Sequence, residues 1–275
     1  MGNNQDKVLE RLFRFSAANG DSTQLITLLN QGVNPNAQDA NGYSALHFSA
    51  LAGQTNVIPL LSEHGADMNI QDRFGKTATH FAVLGNHGQT VCALTSAGAD
   101  INKTDAQGFS PLHIATRRHN PAMISLLSTQ GADMGLKDQY GQTALHWGAF
   151  YGNPEVVRTL LLCRSPIDAT NLNGQTALEY SVLAGNLKAT ELLLSNGADA
   201  HHKNNQGMSP YSYVQRKKNG KLYGVFEKIL TPKKQENSDL PNLNQQLTHS
   251  GEKITQQKPA KNDLTFQNFR SIIKV

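Results

Sequence analysis

Large apolar residues recur along this chain once every 33 positions: Phe48, Phe81, Ile114, Trp147, Tyr180 and Tyr213 share one column. Small and polar residues keep the same register. Gly42, Gly75, Gly108, Gly141, Gly174 and Gly207 are followed two residues later by Ser44, Thr77, Ser110, Thr143, Thr176 and Ser209. Asp39, Asp72, Asp105, Asp138, Asn171 and Asn204 stand three residues before those glycines, and Gly-Ala-Asp returns at 65–67, 98–100, 131–133 and 197–199.

This register predicts one supersecondary unit, repeated. Asp/Asn-x-x-Gly reads as a turn whose glycine accepts positive φ. The Ser or Thr after it reads as a helix N-cap. Pro111 and Pro210 fit the first helical position, where no N–H is needed. A short first helix runs to about Gly53, Gly152 or Gly185. A second follows, opened by Pro121 and Pro154 in two copies, with Val57, Ile58 and Leu61 at helical spacing in another. It ends at the next glycine, while Pro59 is expected to distort its copy. A single unit cannot bury both helices, so neighbours must stack to make a continuous core. The column from Phe48 to Tyr213 is expected to lie in that core.

The stretches GYSALHFSALAG, GFSPLHIATRRH and GQTALHWGAFYG resemble the G-x-T-P-L-H-x-A-A-x-x-G signature of ankyrin repeats. The resemblance implies an all-α solenoid of six to seven helix-turn-helix repeats with β-turn or hairpin loops. It covers roughly residues 6–231, within a repeat domain at 1–231: a degenerate repeat at 6–38, full repeats at 39–71, 72–104, 105–137, 138–170 and 171–203, and a capping repeat at 204–231. It also implies that His47, His80, His113 and His146 tie adjacent repeats through the turn and its Ser or Thr. Repeat-related histidines lie too far apart to converge on one metal ion, whose bonds are only about 2 Å long. Three departures stand out. Thr79 replaces a motif leucine, Glu179 replaces the histidine, and Arg164-Ser165-Pro166 replaces Gly-Ala-Asp. The last is expected to change its turn and the local stacking angle.

Catalytic spacings such as H-E-x-x-H, G-x-S-x-G and the phosphate-binding glycine loops are missing from the sequence. The repeated Asp-x-x-Gly lacks the further acidic ligands of a calcium loop. Cys92 and Cys163 read as small apolar fillers. The expectation is no enzyme, no cofactor and no metal, although an enzyme with catalytic residues outside the repeats is a weaker alternative. With 38% hydrophobic residues and a net charge of +4, the 275-residue chain can build a core and is only mildly basic. No nucleic-acid partner is expected from so small a charge. No apolar run reaches membrane-spanning length and the N-terminus lacks an export or myristoylation signal, so a soluble, cytoplasmic, monomeric chain is expected.

Family resemblance places partner contacts on the turn tips and on the inner face of the first helices. Carried onto this chain, the tips are Tyr43, Arg73, Phe74, Lys76, Phe109, Gln139 and Tyr140. The inner positions are Leu51, Leu84, Arg117, Arg118, Phe150, Tyr151 and Leu183. The aromatic residues among them are expected to form one exposed strip around the two arginines. Aromatic and arginine side chains are enriched at binding hot spots, and here they fit an acidic or mixed protein surface. The expected function is therefore a protein–protein interaction scaffold acting through its concave face, or an adaptor or inhibitor that occludes a partner's active site. Residues 232–275 are Gln-, Asn-, Lys- and Pro-rich and read as a largely disordered tail. NDLTFQNFRSIIKV at its end reads as a short helix with Phe266, Phe269 and Ile273 on one face. A polar tail closing in apolar residues is similar to the C-terminal signals of ankyrin effectors that intracellular bacteria export by type IV secretion. That resemblance implies a host protein as partner.

Overall fold

Each Asp-x-x-Gly run closes on its own side chain. Asp105 Oδ1 accepts from the backbone N–H groups of Gln107 at 3.0 Å and Phe109 at 2.9 Å, and the Asp39, Asp72 and Asp138 carboxylates act in the same way. Gly75 follows with φ of +75°, and a Cβ added there would lie 2.6 Å from the backbone N of Ala106 in the next repeat. Only glycine meets both demands. That close approach carries a backbone bond between neighbouring turns, from Ala106 N–H to Phe74 O at 2.9 Å, repeated from Arg73 to Asn41 and from Gln139 to Gln107.

The computed structural model describes residues 4–231. Its helices follow in pairs. The first helix of each pair is α1 (Asn4–Asn19), α3 (Ala45–Ala52), α5 (Ala78–Leu84), α7 (Pro111–Arg117), α9 (Ala144–Tyr151), α11 (Ala177–Leu183) or α13 (Pro210–Lys217). The second is α2 (Ser22–Asn30), α4 (Val57–Glu63), α6 (Gly88–Ser96), α8 (Pro121–Thr129), α10 (Pro154–Leu162), α12 (Leu187–Ser195) or α14 (Gly220–Leu230). First helices pack on first helices and second on second, giving two layers. The core lies between the layers and runs unbroken from Phe13 and Leu25 through Leu46, Ile58, Leu112, Ile124, Leu145 and Leu160 to Phe226. The fold is all-α, as the repeat register predicts. The expected tail, terminal helix and export signal lie outside the described residues.

Pro59 shortens its helix. Its missing N–H removes one bond, and the preceding turn closes with i to i−3 bonds, Val57 N–H to Gln54 O and Ile58 N–H to Thr55 O. The turn at Arg164 departs from expectation: it is not altered. Arg164 takes the left-handed conformation itself, with φ of +62°, and Ser165 N–H still bonds Leu160 O at 3.0 Å, as Ala132 N–H bonds Leu127 O.

The histidines are structural ties. Thr77 N–H donates to His80 Nδ1 at 3.1 Å, which leaves the proton on Nε2, 2.9 Å from the carbonyl of Phe109 in the next repeat. His47, His113 and His146 repeat this arrangement toward Lys76, Gln142 and Gln175. Burial lowers the pKa of all four below the usual histidine value, that of His80 to about 4. Glu179 cannot donate to a carbonyl. Its Oε1 instead accepts from Gln175 Nε2 at 2.9 Å and Asn204 Nδ2 at 2.7 Å, so the tie to the following repeat runs through side chains.

Candidate functional site

The last turns of the first helices leave their side chains uncovered by the second layer. The column Leu51, Leu84, Arg117, Phe150, Leu183 and its neighbours Arg118 and Tyr151 lie there, mostly exposed: Phe150 at 48% and Tyr151 at 39%. The column expected in the core splits. Phe81 and Ile114 are buried, but Phe48, Trp147, Tyr180 and Tyr213 are only half-buried and face the same side. They were hidden among core positions because large apolar residues satisfy both demands. A distinguishing signal was present. The true core position is Leu in Leu46, Leu112, Leu145 and Leu178, whereas this column varies in size and polarity from copy to copy. One period further back stands Phe15, 64% exposed.

Trp147 organises the centre. Its indole N–H donates to Asp138 Oδ2 at 3.0 Å, which fixes the ring. Phe109 packs against it with centroids 5.6 Å apart, Tyr151 stacks at 5.9 Å, and Phe150 meets it edge-on at 6.5 Å. Phe150 also reaches Tyr180. The Tyr180 hydroxyl accepts from Gln142 Nε2 at 2.6 Å, and burial raises its pKa. The Arg117 guanidinium lies 4.9 Å above the Phe109 ring and 5.5 Å above that of Trp147. Arg118 is exposed, and its Nη2 is 3.5 Å from Leu84 O. Lys76 Nζ lies 3.3 Å from Asp105 Oδ2. Beside this cluster lies a cavity of about 540 Å³ lined by Lys76, Leu84, Asp105, Phe109, Arg117, Arg118 and Tyr151.

The expected single strip is thus two features. Tyr43 and Phe109 are half-buried, Tyr43 packed edge-on against Phe48 and Phe81. Phe74, 54% exposed, and Tyr140, 56% exposed, stand at turn tips with Arg73 and Gln139, and neither ring meets the Trp147 cluster among the described residues. Both cysteines are half-buried. Among the described residues no group of three His, Cys, Asp or Glu could hold a metal ion, and no helix is long and apolar enough to cross a membrane.

Stacked helix pairs held by turn-to-turn bonds, with one uncovered face of aromatic and cationic side chains, define an α-solenoid recognition scaffold. A family profile described as ankyrin repeats (3 copies) matches residues 13–105, 89–168 and 112–204, well over half the chain. The chain belongs to the ankyrin-repeat family, and its repeats make it a protein–protein interaction scaffold. Among solved structures it is similar to the ankyrin repeat domain of Bcl-3, described as a unique member of the IkappaB protein family. That likeness has a TM-score of 0.73 at 22% identity, over 78% of this chain and 97% of that one, and it speaks to the fold. No curated protein sequence matches the chain.

Proposed function

We propose that this chain binds a partner protein through the concave, first-helix face, without catalysis of its own, and that Phe150, Tyr151, Arg117 and Arg118 anchor the contact. Tyr43, Lys76 and Phe109 support these anchors, while Arg73, Phe74 and Tyr140 offer rim contacts at the turn tips. The observation that carries this reading is the uncovered Trp147 cluster. It is an apolar surface of large, rigid side chains that fold stability does not require to be exposed. Docking on a preorganised face loses little conformational entropy. Occlusion of a partner enzyme's active site is one way such binding would act.

The test is recovery from lysate on wild type beside Phe150→Ala/Tyr151→Ala, followed by titration of the recovered protein in pure form. Both substituted rings are about half-exposed and outside the buried core, so melting temperature should fall by only a few degrees, about 5 °C at most, while affinity falls at least 10-fold. Equal affinity would place the contact elsewhere. The resemblance of residues 232–275 to secretion signals carries a second proposal, that the chain is an effector acting on a host protein. A translocation reporter fused to the full chain, with and without those residues, decides it.

A further inference from the structure

We propose that the cavity between α5, α7 and α9 is a carboxylate subsite. In it Arg117 and Arg118 hold an aspartate or glutamate of an extended acidic–apolar segment in the partner protein. This inference rests on the binding face proposed above and names what that face selects.

Charge is the first argument. The cavity is lined by three cations, Lys76, Arg117 and Arg118, and one acid, Asp105. Lys76 and Asp105 neutralise each other at 3.3 Å. No carboxylate lies within ion-pair reach of Arg117 or Arg118 among the described residues. Two positive charges therefore remain, side by side, beside apolar walls that lower the local dielectric.

Geometry is the second. The Arg117 guanidinium is held between Phe109 and Trp147, 4.9 and 5.5 Å from their ring centroids, and Trp147 is itself pinned to Asp138. Its N–H groups donate to no acceptor among the described residues. A guanidinium held against aromatic rings, with no acceptor for its N–H groups, keeps those groups for a carboxylate, which they match bidentately. The stack also removes much of the rotamer entropy that an exposed arginine loses on binding. Leu84, Phe109, Ile114 and Tyr151 give the cavity its apolar walls. The complementary ligand alternates apolar side chains with an acid in the middle. Residues 233–275 of this chain carry seven Lys and Arg against four Asp and Glu, so their charge does not complement the site.

Trp147 is the sole tryptophan and its ring lies 5.5 Å from the Arg117 guanidinium, so its fluorescence reports on a ligand at that arginine. The experiment selects Trp-free peptides from a random phage-displayed 12-mer library on the full chain, in parallel on wild type and on Arg117→Glu/Arg118→Glu. Selected peptides are then titrated by Trp147 emission. Wild type should enrich Asp or Glu flanked by Leu, Phe or Ile. The charge-reversed chain should select Lys or Arg at the same place. Changing the peptide acid to its amide should weaken binding roughly 10- to 100-fold, the effect of losing a charge-assisted hydrogen-bonded pair. Arg118→Glu alone, which leaves the stacked arginine in place, should give a smaller loss and guards against misfolding of the double variant. Peptides without acidic enrichment, or the same consensus on both chains, would overturn the subsite. If such peptides still lose binding with Phe150→Ala/Tyr151→Ala, the binding face stands and only the subsite fails. Tighter binding of a single-stranded oligonucleotide of 12 nucleotides than of any peptide would also overturn it.

Discussion

Protonation of the four tie histidines is opposed twice, by burial and by the backbone N–H that already points at each Nδ1. Their folded pKa values lie below those of an unfolded chain, burial being the leading cause. The unfolded state therefore binds more protons at acid pH, and the stabilisation is complete above pH 6.5 and lost as pH falls toward 4. For His80, whose value falls from 6.5 to about 4, this is worth about 3 kcal/mol. Urea midpoints should therefore drop steeply between pH 7 and pH 5, and His80→Gln should flatten that dependence. A flat profile in wild type would show that the histidines are accessible. Thr79 makes a related point. It is fully buried where other repeats have leucine, and its Oγ1 has no hydrogen-bond partner among the described residues. Thr79→Val should raise stability by about 1 kcal/mol, read as an upward shift in melting temperature.

Departures in the loops that join repeats are matched in pairs. Asp67, Asp100 and Asp133 each donate a backbone N–H to the Oδ1 of Asn36, Asn69 and Asn102 in the preceding repeat, at 2.7 Å. At the next junction Pro166 has no N–H to donate and Gly135 has no side chain to accept. A Cβ on Gly135 would stand 3.4 Å from Pro166 Cγ, so the proline ring comes close to the glycine where the bond is missing. The ladder resumes where Asp199 N–H meets Asp168 Oδ1 at 2.9 Å. Restoring both partners, Gly135→Asn with Pro166→Asp, should show favourable coupling of about 1 kcal/mol in a double-mutant cycle. Additive single effects would refute the pairing. The left-handed Arg164 is a separate case, its side chain making no hydrogen bond or ion pair among the described residues, and Arg164→Gly should stabilise by roughly 0.5–1 kcal/mol, measured by denaturant unfolding.

In the whole molecule, contacts run chiefly between neighbouring helix pairs, so stability is distributed along the stack rather than held in one nucleus. Phe226 is fully buried in α14, at the last described pair. Phe226→Ala should fray that end by roughly 3–5 kcal/mol. Circular dichroism should then show an early loss of part of the helix signal, while the Trp147 transition stays close to its wild-type midpoint. Coincident loss of both signals would mean that the repeats unfold as one unit. The same linear build presents the recognition face: each repeat adds one inner helix end, and Arg117 and Arg118 fall in the middle of the row.

Repeat length, turn, cap and helix pair were legible in the sequence, because each is a local demand restated at the same place in successive copies, whereas the histidine tie, which reaches a carbonyl of the next repeat, was implied only by the resemblance to ankyrin repeats. Glycine at a left-handed turn and Ser or Thr before a helix have few chemical alternatives. The choice between core and surface for a large apolar column was not local. Phe81 and Trp147 share one repeat position, yet one is buried and the other half-exposed, because burial depends on the side chains that the neighbouring repeats bring against it. For the same reason Phe109 and Tyr43, read as exposed tips, became packed supports. Only stacking of repeats could bring one arginine against both Phe109 and Trp147, residues 38 positions apart in the chain.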